Sequence, residues 1–223
     1  MKDLINIKYW VFDLDNTLYS GQTKVFAEVS KNMSAYISKK LDIDLLEAKE
    51  LQKKYFYENG TTLSGLMKYD KIDPHEFLEF VHNIDISWLP KDLLLRQELI
   101  KIKEKKYIFS NGSHSHVENV TKQLGIEDLF DGVFAITDAD FVPKPNVEPY
   151  KKMIKKFDLD PKKSILIEDI AHNLEQAKNL GMKTCWLENN ETFAKKDADK
   201  PYIDYKIKSL PSFLQKINVL KVA

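Results

Sequence analysis

Residues 8–18 read KYWVFDLDNTL, an apolar run that stops at two carboxylates, Asp13 and Asp15, with one residue between them. Tyr9, Trp10, Val11 and Phe12 are aromatic or β-branched, which suits a short strand buried on both faces. In open α/β sheets the reactive groups sit just past the carboxyl ends of such strands. Two acids placed there repel each other unless a cation or a shared proton relieves the charge. The stretch therefore predicts a metal site with a carboxylate nucleophile. A strand closed by a polar Asp-Asn turn is the plainer alternative.

Outward from this segment, strand and helix alternate, with one interruption. Val25, Phe26, Val29, Met33, Tyr36 and Ile37 recur at helical spacing where a sheet protein would return to a strand. Asp44 with Glu47 has the form of a capping box opening a second helix that Gly60 ends. A third short helix is expected over residues 62–69. Asp73, Pro74 and Glu76 start a fourth, to about residue 82. Four helices in succession predict a small helical insert spanning residues 21–88, with hinges at Ser20-Gly21 and before Pro90.

Beyond Pro90 the alternation is regular. A helix is expected over 92–103, then a strand over 107–109 ending at Ser110-Asn111-Gly112. Ser113 can cap a helix over 115–124, closed by Gly125. A strand at 132–136 and a helix at 149–157 follow. The strand at 164–167 ends at Glu168-Asp169, before a helix to residue 180 with Gly181 as its cap. Residues 183–187 form the last expected strand. Such alternation implies an α/β fold with a mostly parallel sheet, whose right-handed crossovers set all the strand tips along one edge.

Composition bounds the function. The chain has 223 residues, enough for a substantial core, and 34 basic against 34 acidic side chains. A formal charge of zero points to neither nucleic acid nor anionic membrane as partner. Its single cysteine, Cys185, lies in the apolar stretch KTCWL and is expected to be a buried strand residue. Asp3 and Lys8 interrupt the N-terminus where a secretory signal would be apolar, and no run reaches the length of a membrane span. A cytoplasmic location is the expectation.

Three strand tips and one loop carry matching chemistry. The first tip offers Asp13 and Asp15. The second offers the Ser110 hydroxyl and the amides of Asn111 and Gly112, beside a helix N-terminus that favours anions. The third strand's loop offers Lys144, held between Pro143 and Pro145. The fourth tip offers Glu168 and Asp169. An acidic cluster for a hard cation stands with cationic and amide donors for an anion, and Mg2+ suits it, since that ion takes oxygen ligands and keeps substrate oxygens in its shell. Taken singly, these elements read as a solvated loop lysine, a turn and a helix cap; their order makes a phosphate-handling site.

This series, DLDNTL, then Ser110, Lys144 and Glu168-Asp169, resembles the four motifs of the haloacid dehalogenase-like hydrolases across nearly the whole chain. The resemblance implies a Rossmann-like core, residues 1–20 and 89–223, and an α-helical cap, residues 21–88. KYFYENGTTLSGLM, IDPHEF, FSNGSHSHV, LGIEDLFDG and KPNVEPY together resemble its pyrimidine 5′-nucleotidase branch. Two positions depart from the family pattern: Ser110 replaces a threonine and keeps the hydroxyl, while Ile170 replaces a serine and removes a polar group beside the metal.

Carried onto these residues, the resemblance implies that Asp13 attacks phosphorus and that Asp15 protonates the leaving oxygen, then activates water. Mg2+ would be held by Asp13, the Asp15 main-chain carbonyl and Asp169, with Glu168 beside them. Lys144, Ser110 and the Asn111 amide would orient the phosphoryl oxygens. Asn173 is either a partner of metal-bound water or a surface residue. The cap candidates for leaving-group contact are Tyr19, Tyr57, Thr61, Thr62, Ser64 and Gly65, either stacking on a base or filling a helical core. His116 matches a histidine of the nucleotidase pattern and is read as a helix-start residue rather than a catalyst. Asp15 separates a phosphatase from a dehalogenase, which needs neither that acid nor a metal. The expected substrate is a nucleoside 5′-monophosphate with a pyrimidine base, and a sugar phosphate or phosphoglycolate is the alternative. A phospho-accepting signalling domain is disfavoured by Asp15 and by the insert.

Overall fold

β1 (Tyr9–Phe12) lies at the centre of a six-stranded sheet ordered β3-β2-β1-β4-β5-β6, with every neighbouring pair parallel. The other strands are β2 (Lys105–Phe109), β3 (Gly132–Phe134), β4 (Ser164–Glu168), β5 (Lys183–Leu187) and β6 (Tyr205–Ile207). The computed structural model describes residues 1–222. Side chains alternate across β1: Trp10 and Phe12 enter one hydrophobic core and Val11 enters the other, on the opposite face of the sheet. All three are fully buried, which accounts for the continuous apolar run.

Helices α1 (Val25–Leu41), α2 (Leu45–Asn59), α3 (Thr62–Tyr69) and α4 (Pro74–His82) lie between β1 and β2, as expected. Asp44 caps α2 by accepting from the N–H groups of Leu46 and Glu47, and Gly60 ends it at φ 82°. Asp73 caps α4 in the same way, with Pro74 in the first turn. These helices share a third core that includes Val29, Tyr36, Ile37, Tyr55, Leu66, Phe77 and Val81. α2 and α3 approach closely at Gly65, where a Cβ would fall 2.3 Å from the Tyr55 ring.

The remaining helices are α5 (Leu93–Lys101), α6 (His114–Leu124), α7 (Val147–Phe157), α8 (Leu174–Asn179) and α9 (Leu210–Val222). Several boundaries differ from the sequence expectation. The third strand stops at Phe134 and a 3-10 turn, Ile136–Ala139, follows it. The helix after Asp169 is short, preceded by a 3-10 turn at Ala171–Asn173. The sheet gains β6 beyond the last expected strand, because Cys185, Trp186 and Leu187 pair with Tyr205, Lys206 and Ile207. Three residues of mixed exposure have no period that sequence can show. Cys185 is buried in β5 as expected. No helix among the described residues is long and apolar enough to cross a membrane.

The strand order reverses at β1. The chain moves from β1 to β2 and β3 on one side, then returns to β4 on the other, and such a switch point opens a crevice at the carboxyl ends. Phe12 pairs with Ile167, and the Asp13 N–H donates to the Ile167 carbonyl at 2.9 Å. Replacing Gly65 by alanine should overpack the α2–α3 contact by about 1–3 kcal/mol. A fall in Tm of roughly 3–10 °C follows for a chain of this size, read by thermal unfolding.

Candidate active site

At the crevice, Asp13, Glu168 and Asp169 each bring one carboxylate oxygen within 4.8 Å of the others, and all three are buried. Glu168 is the last residue of β4 rather than a residue past its tip. Lys144 reaches in from the loop after β3 and is 2% exposed. Its ammonium donates to Asp13 Oδ1 at 2.7 Å, Glu168 Oε1 at 3.0 Å and the Phe109 carbonyl at 2.9 Å. Burial pulls this ammonium down, but the charges of Asp13 and Glu168 outweigh it and hold it well above its ordinary value.

One lysine cannot balance three acids. Burial pushes Asp13 up to about 7; Lys144 opposes the shift, while Glu168 and Asp15 reinforce it. Asp169 is raised well above its usual range by burial and by Glu168 and Asp13. The cluster resists full ionisation without more positive charge, and its all-oxygen donor set fits a hard divalent cation.

The remaining contacts hold the cluster in shape. Glu168 accepts from Asn173 Nδ2 at 2.6 Å and from the Ile170 N–H at 2.6 Å. Asn173, 5% exposed, is therefore not a surface residue; its amide orients Glu168. The Ile170 N–H reaches Glu168 from the position where the family pattern has a serine. Asp169 Oδ2 accepts from Asn189 at 2.6 Å, and its carbonyl accepts from the Trp186 indole at 2.6 Å. Asn189 and Trp186 were not singled out in the sequence, since neither a loop asparagine nor a core tryptophan carries a motif.

Ser110 and Asn111 stand at the end of β2 as expected. Ser110 is buried and its hydroxyl accepts from the Gly112 N–H at 2.9 Å. The Asn111 side chain braces the lysine loop, accepting from the Lys144 N–H at 2.9 Å and donating to its carbonyl at 3.4 Å. Among the described residues the main-chain N–H groups of Leu14, Asp15 and Asn111 have no hydrogen-bond partner. Free amides at two adjacent strand tips form an anion-binding concavity.

Asp15 stands apart from the acidic cluster. Its Oδ1 accepts from the Tyr19 hydroxyl at 2.6 Å and lies 2.8 Å from His116 Nε2. Burial pushes its carboxyl upward, but His116 and the Tyr19 hydrogen bond outweigh this and bring it down to about 2. His116 stands in the first turn of its helix, as expected, and its buried ring also lies against Asp15, a contact the sequence expectation did not include. His82 of α4 stacks on it at 4.3 Å between ring centroids. No periodicity could join His116 to Asp15 or His82 to Ser113, because sequence separations of 101 and 31 residues are closed only by the fold.

The cap candidates fare differently. Tyr19 is 4% exposed and engaged with Asp15, so it is a support for that carboxylate rather than a cap residue. Thr61 caps α3 by accepting from the Ser64 N–H. The buried Thr62 hydroxyl donates to the Gln52 carbonyl at 3.1 Å, and Gly65 admits Tyr55. Thr62 and Gly65 serve the α2–α3 contact, the core-filling alternative, while Thr61 serves the start of α3. Tyr57 is 68% exposed. Ser64 faces outward, with Met67 and Lys68, across a cleft of about 330 Å³ from Asp140, Phe141, Val142 and Pro143.

The model of the haloacid dehalogenase-like hydrolases matches residues 7–181, and the chain belongs to that family. It is 30% identical over 226 residues to the glyceraldehyde 3-phosphate phosphatase of Pyrococcus furiosus, covering 94% of this chain and 92% of the relative. It is 31% identical over 193 residues to phosphate metabolism protein 8 of Saccharomyces cerevisiae, covering 78% of this chain but only 60% of that protein. Among solved structures, a haloacid dehalogenase-like phosphatase from Thermococcus onnurineus superposes with a TM-score of 0.62 at 19% identity, over 95% of this chain and 97% of that one. An L-2-haloacid dehalogenase from Xanthobacter autotrophicus superposes at 0.59 and 16% identity, over 96% and 99%. At such identities these structures establish the fold alone.

Two stability measurements test this geometry. Lys144→Met strands Asp13 and Glu168 without their counter-charge and should cost about 3–5 kcal/mol at neutral pH, read by urea unfolding. Asp15 has a depressed value, so its contribution is present above the ordinary carboxylate range and lost as pH falls toward about 2. The stability gap between wild type and Asp15→Asn should therefore narrow over that acid range.

Proposed function

We propose that the protein is a Mg2+-dependent phosphatase of a small sugar phosphate, working through an aspartyl phosphate. The observation that carries this reading is the division of labour between two carboxylates two residues apart. Asp13 is gripped through Oδ1 by Lys144 inside the acidic cluster, whereas Asp15 is held outside it by Tyr19 and His116. Displacement of a halide has no use for the second carboxylate; departure of an alkoxide does.

In the first half-reaction an Asp13 oxygen attacks phosphorus, the ester P–O bond breaks, and the departing oxygen takes a proton from Asp15. Asp15 is ionised in the resting site. An incoming phosphate dianion raises its affinity for a proton, so that proton enters with the substrate. In the second half-reaction Asp15 takes a proton from water, whose oxygen attacks phosphorus and releases Asp13. Lys144, the Ser110 hydroxyl and the free amides of Leu14, Asp15 and Asn111 hold the equatorial oxygens, where positioning and electrostatics do most of the catalysis. Mg2+ would be held by Asp13, Asp169 and the Asp15 carbonyl, with Glu168 turned toward Lys144, and would neutralise charge on the transferring group.

The substrate assignment moves from the nucleotide expected in the sequence to its sugar-phosphate alternative. Tyr19, Thr61, Thr62 and Gly65, on which base recognition depended, are occupied by internal contacts. A relative matched over nearly its whole length is named for glyceraldehyde 3-phosphate. Residues 21–88 then act as the lid over a core of residues 1–20 and 89–223.

Phosphate release from glyceraldehyde 3-phosphate, phosphoglycolate, pyrophosphate, UMP and CMP tests this directly. The triose phosphate should give the highest kcat/KM, and chelation of Mg2+ should abolish turnover reversibly. Asp13→Asn should lose at least about 10³-fold. Asp15→Asn should lose about 10²–10⁴-fold and still trap phosphoenzyme. A preference for UMP or CMP would restore the nucleotidase assignment; a long-lived phosphoaspartate in the wild type would mark a signalling module instead.

A further inference from the structure

Both groups that bind the Asp15 carboxylate engage the same oxygen. Tyr19 and His116 meet at Oδ1, and Oδ2 has no hydrogen-bond partner among the described residues. Oδ2 borders the phosphate loop, 3.8 Å from where a Cβ on Gly112 would lie. A carboxylate held through one oxygen by two donors from different elements has a defined plane, and its second oxygen is left for a reacting group.

His116 is itself held from two sides. It is 1% exposed, and with Nε2 2.8 Å from a carboxylate oxygen the ring hydrogen is assigned to Nε2. Its main-chain N–H donates to Ser113 Oγ at 3.2 Å. The ring of His82 lies parallel to it, at 15° between planes, and His82 Nδ1 is 2.8 Å from the same Ser113 Oγ. His82 belongs to α4, and therefore to the helical insert rather than to the sheet.

We infer that His116 is a positioning residue for Asp15, aiming Oδ2 at the leaving-group oxygen, and that His82 of the insert seats it there. The proton-transferring carboxylate is then fully fixed only when the insert lies on the core as it does here. This inference rests on the reading of Asp15 as the group that protonates the leaving group, and it adds two histidines that the mechanism above does not use.

The test compares two leaving groups in the first half-reaction, by rapid quench. Glycerol phosphate departs as an alkoxide that needs a proton; p-nitrophenyl phosphate departs as a phenolate that does not. His116→Ala should slow phosphoryl transfer from glycerol phosphate by about 10²-fold and from p-nitrophenyl phosphate by no more than about threefold, with KM little changed. His116→Gln, whose amide can still donate to Oδ1, should recover part of the glycerol phosphate loss. Tyr19→Phe removes only the other donor and should show the same split. His82→Ala should show it more weakly, by about tenfold on glycerol phosphate.

Equal losses on the two esters, or no loss on either, would overturn the positioning role. An unaltered His82→Ala would overturn the link to the insert. A wild-type enzyme that releases phosphate from neither ester would overturn the phosphatase reading itself, and this inference with it.

Discussion

A buried lysine ammonium shared between two buried carboxylates is the interaction on which this site depends. Lys144 meets Asp13, Glu168 and the Phe109 carbonyl within hydrogen-bond distance, with almost no access to water. Taking such charges out of water costs several kcal/mol per ion, and only a complete set of partners offsets it. The protein supplies that set: Asn111 clamps the lysine's main chain, Asn173 and the Ile170 N–H complete Glu168, and Asn189 completes Asp169. Three carboxylates still face one ammonium, an excess of two negative charges when all are ionised, which makes the cluster receptive to a divalent cation.

Two carboxylates separated by a single residue experience different environments because of how the chain leaves β1. Asp13 continues the sheet's hydrogen bonding through Ile167 and stays with the metal-type cluster. Asn16 then takes a left-handed conformation, at φ 59°, which asparagine tolerates better than most residues. Asp15 is turned toward Tyr19 and His116. Pairs of acids whose surroundings push them apart are the usual means of assigning separate tasks to one chemical group. Here the separation is from about 7 to about 2.

The four helices between β1 and β2 share a hydrophobic cluster that takes in Ile136 and Phe141, and they touch the rest of the chain at further places. Phe56 meets Phe193 edge-on, close to the loop that carries Asn189. His75 meets Phe141 in the loop leading to Lys144, and His82 meets His116. Each contact lies beside a residue that holds part of the site, so the placement of these helices and the site geometry are joined through side chains.

What could be read from the amino acids alone was the local part. Period and capping marked the four insert helices, since Asp44, Gly60, Asp73 and Pro74 act within one turn of themselves. The strand tips marked Asp13, Ser110 and Glu168-Asp169, and the loop after the third strand marked Lys144, since a parallel sheet brings all such tips to one edge whatever their distance in sequence. Which donor meets which acid was a matter for the tertiary structure. Tyr19 looked like a lid residue and is a clamp on Asp15; Thr62 and Gly65 looked like substrate contacts and join two helices. His82 and Asn189 carried no signal, and His116 only a match to a family pattern, because a hydrogen bond depends on ångström-scale placement that crossovers of tens of residues decide. Residue order thus determined the family of chemistry, and three-dimensional contact decided the partner of each charge.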